Sequence, residues 1–482
     1  MAMTERKVAV VLIHGIGDQM PMETLRGFVE AVLAKEDAPG GDETISPAET
    51  GQRPEGGPTA AAHAPAGPPK GKDFPLYWSK PDALSGSYEL RRFNAPAGKR
   101  RAPIDFYEYY WAHLMEGNAL SHSLQWLNNL LFRSPATVPP KLRFLWFCSW
   151  VLVLAILALT ALFWNATPVG MLAAAGTLLL IGAKLVAGLA MRDWIGDAAR
   201  YFNAKPSNVN VRNAIRKGGV ELLQKIHQSG EYKRVIVVGH SLGSAIALDI
   251  LYYYWTVASV RHGAPDVPLK AAVEAIERAI RLTGPLRPED WKALQKSVWQ
   301  EIRQNGTPWR ITDLITLGSP LTHLPFLTGL DGARFDARLQ QRELPKCPPI
   351  LDGKGIAYFT HYQTSAGNRR SIATLHHAAC FAATRWTNIY FPHDGRFGGD
   401  PVGGPLRQLF GQAVEDRVVE TRHWRGTLNH LDYWRQDSRD TKAETAPLNV
   451  LKAALNLGER FGSRSASPAP AKAVPDAPGQ ED

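Results

Sequence analysis

Apolar residues in this chain fall into short β-branched runs, helix-periodic stretches and one long uncharged block. Lys7 to Ile13 (KVAVVLI) is a continuous run of strand formers that ends at His14-Gly15. Such a run predicts a buried parallel strand. Residues 22–34 then repeat their apolar positions at helical spacing. Segments 87–93 and 104–111 (IDFYEYYW) are aromatic and partly alternating, which predicts strands. Val235 to Val238 and Trp386 to Phe391 are further strand-like runs. Strands alternating with helices predict an α/β fold with a mostly parallel sheet.

Two stretches break this texture. Residues 36–72 are rich in Gly, Pro and Ala and carry few large apolar side chains, as expected of a disordered loop. Residues 461–482 have the composition of a disordered tail. Residues 1–140 and 193–460 then form the two parts of one α/β unit, interrupted at 141–192.

The interruption has a different chemistry. Phe144 to Trp164 is 21 residues without a charge. As a helix it would reach about 31 Å, the thickness of a bilayer core. Trp146 and Trp150 stand near one end, Phe163 and Trp164 at the other, as in an aromatic belt. Pro168 to Met191 is a second apolar run, broken by Lys184, after the short link Asn165-Ala-Thr-Pro. A charge at that depth costs roughly 2.5–3.5 kcal/mol unless it snorkels or faces the partner helix. Gly170, Gly176, Gly182 and Gly188 would let two helices approach closely. The expectation is an inserted helical hairpin that spans the membrane. Insertion into one leaflet and a soluble cap are the alternatives.

Charge sharpens that picture. With 55 Lys+Arg against 45 Asp+Glu, the net charge of +10 suits work near an anionic surface. The basic residues are scattered, with no zinc spacing and no basic helix with interleaved aromatics, so nucleic acid is not an expected partner. Lys141 and Arg143 precede the first apolar run and Arg192 follows the second, which places both flanks in the cytoplasm. Three widely spaced cysteines, Cys148, Cys347 and Cys380, give no disulfide framework. The opening residues lack the apolar core and cleavage site of a signal peptide. The expected location is the inner membrane, with the catalytic part on its cytoplasmic side.

The candidate chemistry centres on residues 234–251, RVIVVGHSLGSAIALDIL. A strand, the pentapeptide Gly239-His240-Ser241-Leu242-Gly243 and an apolar helix follow one another directly. G-x-S-x-G in that context marks a nucleophilic serine on a tight turn, with small residues two before and two after it to avoid collision. The turn also aims backbone N–H groups and a helix N-terminus at the reacting carbonyl.

VIVVGHSLGS, with VLIHGIG at 11–17 and ITLGSP at 315–320, resembles the lipase and esterase branch of the α/β-hydrolase superfamily. The resemblance covers the strands around both ends of the chain and leaves out 36–72 and 141–192. It implies an oxyanion hole made by the backbone N–H groups of Ile16 and Leu242. It also implies the chain order Ser, acid, His. Two acids compete in the loop 392–406: Asp394, just after the strand, and Asp400, in Gly-Asp-Pro-Val-Gly-Gly. Asp400 is preferred because its sequence is similar to the Asp-Pro-apolar-Gly-Gly loops of lipase-like proteins. Asp313 and Asp331 are outsiders. His430, in an H-x-x-Y-W setting, is the expected base, with His423 second. His376, His377 and His393 lack a regular ligand spacing, so no metal is expected, and the triad chemistry needs no cofactor.

These residues together predict a membrane-attached serine hydrolase acting on lipid or other apolar carboxylic esters through Ser241, His430 and Asp400. A non-catalytic membrane adaptor on a hydrolase fold and an acyltransferase using the same triad are the alternatives.

Overall fold

The computed structural model describes residues 7–15, 20–34, 76–98, 101–115, 138, 201–202, 206–261, 271–282, 287–304, 306–353, 355–363, 369–393, 399–420, 429–435 and 444–459, with scattered positions between 143 and 161. Its centre is an eight-stranded sheet in the order β10-β9-β6-β5-β1-β4-β3-β2. The strands are β1 (Lys7–Ile13), β2 (Trp78–Pro81), β3 (Arg91–Ala95), β4 (Ile104–Tyr109), β5 (Tyr232–His240), β6 (Ile311–Leu317), β9 (Arg385–Tyr390) and β10 (Glu415–Val418). From β10 to β4 every pairing is parallel, while β3 and β2 pair antiparallel at one edge. A separate hairpin pairs β7 (Ala357–Gln363) with β8 (Arg369–Leu375).

The parallel strands are buried on both faces, which explains their continuous apolar runs. Along β1, Ala9, Val11 and Ile13 face one layer, and Val8, Val10 and Leu12 face the other. The first layer holds the helices Pro206–Gln228, Leu242–Arg261, Ala271–Arg281 and Pro288–Gln304. The second holds Glu23–Leu33 and Pro447–Leu455. β1 lies between β4 and β5, so the strand order reverses there. In open α/β sheets, the crevice at the carboxyl ends beside such a reversal is where ligands bind.

The opposite, amino-terminal edge is closed by buried ions. Asp313 of β6 accepts from Arg234 of β5 at 2.6 Å and from Arg385 of β9 at 2.7 Å. Arg234 also donates to the carbonyls of Leu455 and Asn456, at 3.1 and 2.7 Å. It thereby satisfies the end of the helix Pro447–Leu455 with a positive charge, the sign its dipole favours.

Two boundaries differ from the sequence reading. The strand expected at 87–93 is Arg91–Ala95, because Asp82 accepts from the N–H groups of Leu84 and Ser85 and turns the chain before it. β2 gave no alternating pattern because all four of its residues are exposed. The loop 36–72, the tail 461–482 and nearly all of 141–192 lie outside the described residues. Within 143–161, Arg143, Trp146, Phe147, Trp150, Val151, Leu154, Ala155, Ala158 and Ala161 are helical. Trp146 packs with Leu327 against buried Val138 and Phe326. Among the described residues no helix is long and apolar enough to cross a membrane.

Candidate active site

Ser241 sits where β5 becomes the helix Leu242–Arg261. Its backbone is left-handed, with φ of 54°. A residue other than glycine adopts that conformation only where the surroundings hold it there. Two contacts do so: the Ser241 N–H donates to Leu317 O at 2.9 Å, and Ser244 Oγ lies 2.6 Å from Ser241 O. Ser244 Oγ is also 2.6 Å from Ser319 Oγ, which fastens the elbow to the turn after β6.

The spacing of the pentapeptide follows from this crossing. A Cβ at Gly239 would stand 2.5 Å from Ser244 Cα, and one at Gly243 would collide with the carbonyls of Ile13 and His14. Strand, helix and the end of β1 approach so closely that neither position has room for a side chain. Gly15 is equally confined, since a Cβ there would lie 2.8 Å from Ser241 Cβ. The His14-Gly15 segment therefore packs directly on the serine.

His14 is itself fixed. Its Nδ1 lies 2.8 Å from Gly15 O, and its Nε2 accepts the Trp111 N–H at 3.3 Å. These partners require a neutral ring protonated at Nδ1. Burial agrees, lowering its pKa to about 4. The Trp111 indole stacks on the ring at 5.3 Å and donates to His14 O at 3.0 Å.

Asp400 and His430 meet in the same place. His430 Nδ1 lies 2.8 Å from Asp400 Oδ2, and both side chains are buried. The proton on Nδ1 leaves Nε2 as the basic nitrogen. Asp400 also accepts from Tyr433 OH at 2.6 Å and from the Val402 N–H at 2.8 Å. Burial alone would raise the Asp400 pKa. The charge and hydrogen bond of His430, with the Tyr433 and Val402 donors, instead hold it well below the usual carboxylate range.

Gly318, the residue after Leu317, joins this pair to the elbow. A Cβ there would stand 2.8 Å from Asp400 Oδ2 and 3.0 Å from His430 Cε1. His240 supplies a second link, its Nε2 lying 2.8 Å from His430 O. Ser241, His430 and Asp400, drawn from the ends of β5, the loop before residue 435 and the loop after β9, thus gather at the carboxyl edge of the sheet.

The other candidates fall elsewhere. Leu242 is buried and opens the helix behind Ser241, where N–H groups remain unspent on helix bonds. Ile16, Asp394 and His423 lie outside the described residues. Asp313 belongs to the ion cluster at the opposite sheet edge. Asp331 caps the helix Gly332–Gln340 by accepting the Arg334 N–H. His376 and His377 contact the carbonyls of Ile350 and Arg342.

Sequence reasoning missed the partners of the site: Tyr433, His240, Gly318 and the ring of His14. The H-x-x-Y spacing of His430 and Tyr433 was the available signal, since three residues around one tight turn bring both side chains to a common neighbour. Comparison of the chain with protein-family models, curated proteins and solved structures finds no match.

Proposed function

We propose that this protein is a serine hydrolase that cleaves carboxylic esters. The observation that carries the reading is the buried Asp400–His430 pair, tied through His240 and Gly318 to a serine whose backbone is held left-handed at a strand–helix junction. His430 Nε2 takes the proton of Ser241 Oγ as the oxygen attacks the acyl carbonyl. The tetrahedral intermediate carries its negative charge on the former carbonyl oxygen, facing the N–H groups of Leu242 and Ile16. It collapses as His430 passes its proton to the departing alkoxide, leaving an acyl-serine. Water, deprotonated by His430, then attacks that ester, and the acid leaves as Ser241 regains its proton. Asp400 remains ionised throughout, holding the Nδ1–H tautomer and stabilising the imidazolium.

The same reading places the enzyme at a membrane, with its catalytic part on the cytoplasmic side of the inner membrane and a hairpin at 141–192 in the bilayer. Two observations support it. The run 144–164 carries no charge. Phe147, Val151 and Leu154, at helical spacing, are 60%, 45% and 60% exposed, a large apolar face to leave in water. An enzyme held there would meet lipid or other apolar esters.

One experiment tests both parts. Membranes from cells making the protein, washed with alkaline carbonate, are treated with a fluorophosphonate. The expected result is a labelled protein in the pellet with the adduct on Ser241, and no labelling of Ser241→Ala. Undiminished labelling of that variant would exclude Ser241 as nucleophile, and labelled protein in the carbonate wash would exclude the membrane attachment.

A further inference from the structure

Asp400 spends one oxygen on two donors. The Tyr433 hydroxyl reaches Oδ2 at 2.6 Å, and His430 Nδ1 reaches the same atom at 2.8 Å. The other oxygen, Oδ1, takes the Val402 N–H. Tyr433 is fully buried and is pinned from two more sides. The Phe391 N–H donates to its oxygen at 3.4 Å, and the Phe391 ring lies 5.0 Å away. Two glycines from different loops leave the space for this contact. A Cβ at Gly318 would stand 2.7 Å from Tyr433 Cε2. One at Gly403 would stand 2.7 Å from Asp400 Oδ2 and 3.1 Å from Tyr433 OH. The backbone is thus shaped around a tyrosine–aspartate bond that simple orientation of an imidazole does not require.

We propose that Tyr433 is a positioning residue that sets the basicity of His430 through the carboxylate oxygen they share. The proposal rests on the reading of Ser241, His430 and Asp400 as a triad. Each donor draws negative charge from the carboxylate and occupies one of its lone pairs. A carboxylate already bonded to a phenol accepts less strongly from the imidazolium, so His430 gives up its proton more easily. His430 then stays a neutral base to lower pH than a lone Asp–His pair would allow.

Two further imidazoles stand on this side of the sheet among the described residues. His240, at the end of β5, has its ring 5.0 Å away, and burial lowers its pKa to about 3. His14, at the end of β1, acts on His240 and is held neutral in the same way. Burial leaves both rings uncharged near neutral pH.

The test follows the His430 ring by NMR in full-length, histidine-labelled protein, which reads its titration without turnover. Tyr433→Phe keeps the ring and removes the donor, and the titration midpoint is expected to rise by about half to one pH unit. The acid limb of the rate at which a fluorophosphonate labels Ser241 should rise with it. Placing 3,5-difluorotyrosine at position 433, a stronger donor of nearly the same size, is expected to move the midpoint down. A purely structural role would slow labelling at every pH and leave the midpoint in place. An unmoved midpoint in either variant overturns the proposal even where Ser241 labels normally. A shifted midpoint in a protein whose Ser241 never labels would uphold the coupling and sink the hydrolase reading instead.

Discussion

His240 Nε2 lies 2.8 Å from the carbonyl oxygen of His430, so the residue preceding Ser241 holds the turn that carries His430. A carbonyl only accepts, so the imidazole must carry its proton on Nε2. Burial keeps that ring neutral at working pH. His240→Ala removes the donor and leaves a buried carbonyl unsatisfied, which costs about 1–3 kcal/mol. It also frees the loop to drift. Misplacing a base by an ångström lowers rates by about a hundredfold. Denaturant unfolding should show the stability loss, and fluorophosphonate labelling of Ser241 should slow by about ten- to a hundredfold. Labelling at the native rate would mean the loop is held without this bond.

Asp400→Asn should be the damaging change in the acid loop. The amide cannot reproduce a carboxylate that accepts from His430, Tyr433 and Val402 together. Loss of the triad acid typically lowers kcat by about 10⁴. Asp394→Asn should retain most activity. Ester hydrolysis by both variants, each checked for folding by circular dichroism, separates the two acids. A dead Asp394→Asn beside an active Asp400→Asn would reverse the assignment.

Local patterns made much of this legible, and long-range approach made up the rest. β1, β5, β9 and the helix after Ser241 were readable because strands buried on both faces carry uninterrupted apolar runs. The elbow was readable because Gly239 and Gly243 are dictated by contacts within one short segment and the end of β1. Gly318 was not, because what crowds it comes from residues 400, 430 and 433, more than eighty positions away. β2 gave no signal because an exposed edge strand has no buried face to alternate against. Asp313 resembled a candidate acid only because the sequence does not show which end of a strand faces the crevice.

Asp313 has a structural task, and its variants should show it. It lies between Arg234 and Arg385 at the sheet edge away from Ser241. Burial pushes its pKa up, but the two guanidinium groups outweigh that and hold it at about 2. A depressed carboxylate stabilises the fold fully above its unfolded value of about 4. That stability is lost as pH falls from about 4 through about 2. Asp313→Asn leaves Arg234 and Arg385 with Glu459 as their nearby carboxylate, at 3.9 and 2.8 Å, and costs at most about 3–5 kcal/mol, the cost of a broken buried pair. Urea titrations at pH 7 should show that loss, while Ser241 still labels at temperatures where the variant is folded. Abolished labelling in a folded Asp313→Asn protein would contradict the structural role.

Glu108 should give the opposite pH response. Its carboxylate is buried on β4; among the described residues Oε1 has no partner, and Oε2 accepts the Met22 N–H at 2.6 Å. Met22 has a left-handed backbone, with φ of 73°, and ends the segment that begins at His14-Gly15 beside Ser241. Burial raises the Glu108 pKa to about 7, against a smaller lowering by the Met22 N–H. The folded protein therefore holds a proton that the unfolded chain releases near pH 4.5. Stability from this group is complete below that value and declines as pH rises through about 7. The difference of two to three pH units corresponds to about 3 kcal/mol. Glu108→Gln keeps an acceptor for the Met22 N–H and cannot ionise. It should match the native protein at pH 4 and exceed it in stability at pH 8 by up to about 3 kcal/mol. Guanidinium unfolding at the two pH values measures the difference. An equal offset at both would show that Glu108 does not change its protonation over this range in the folded protein.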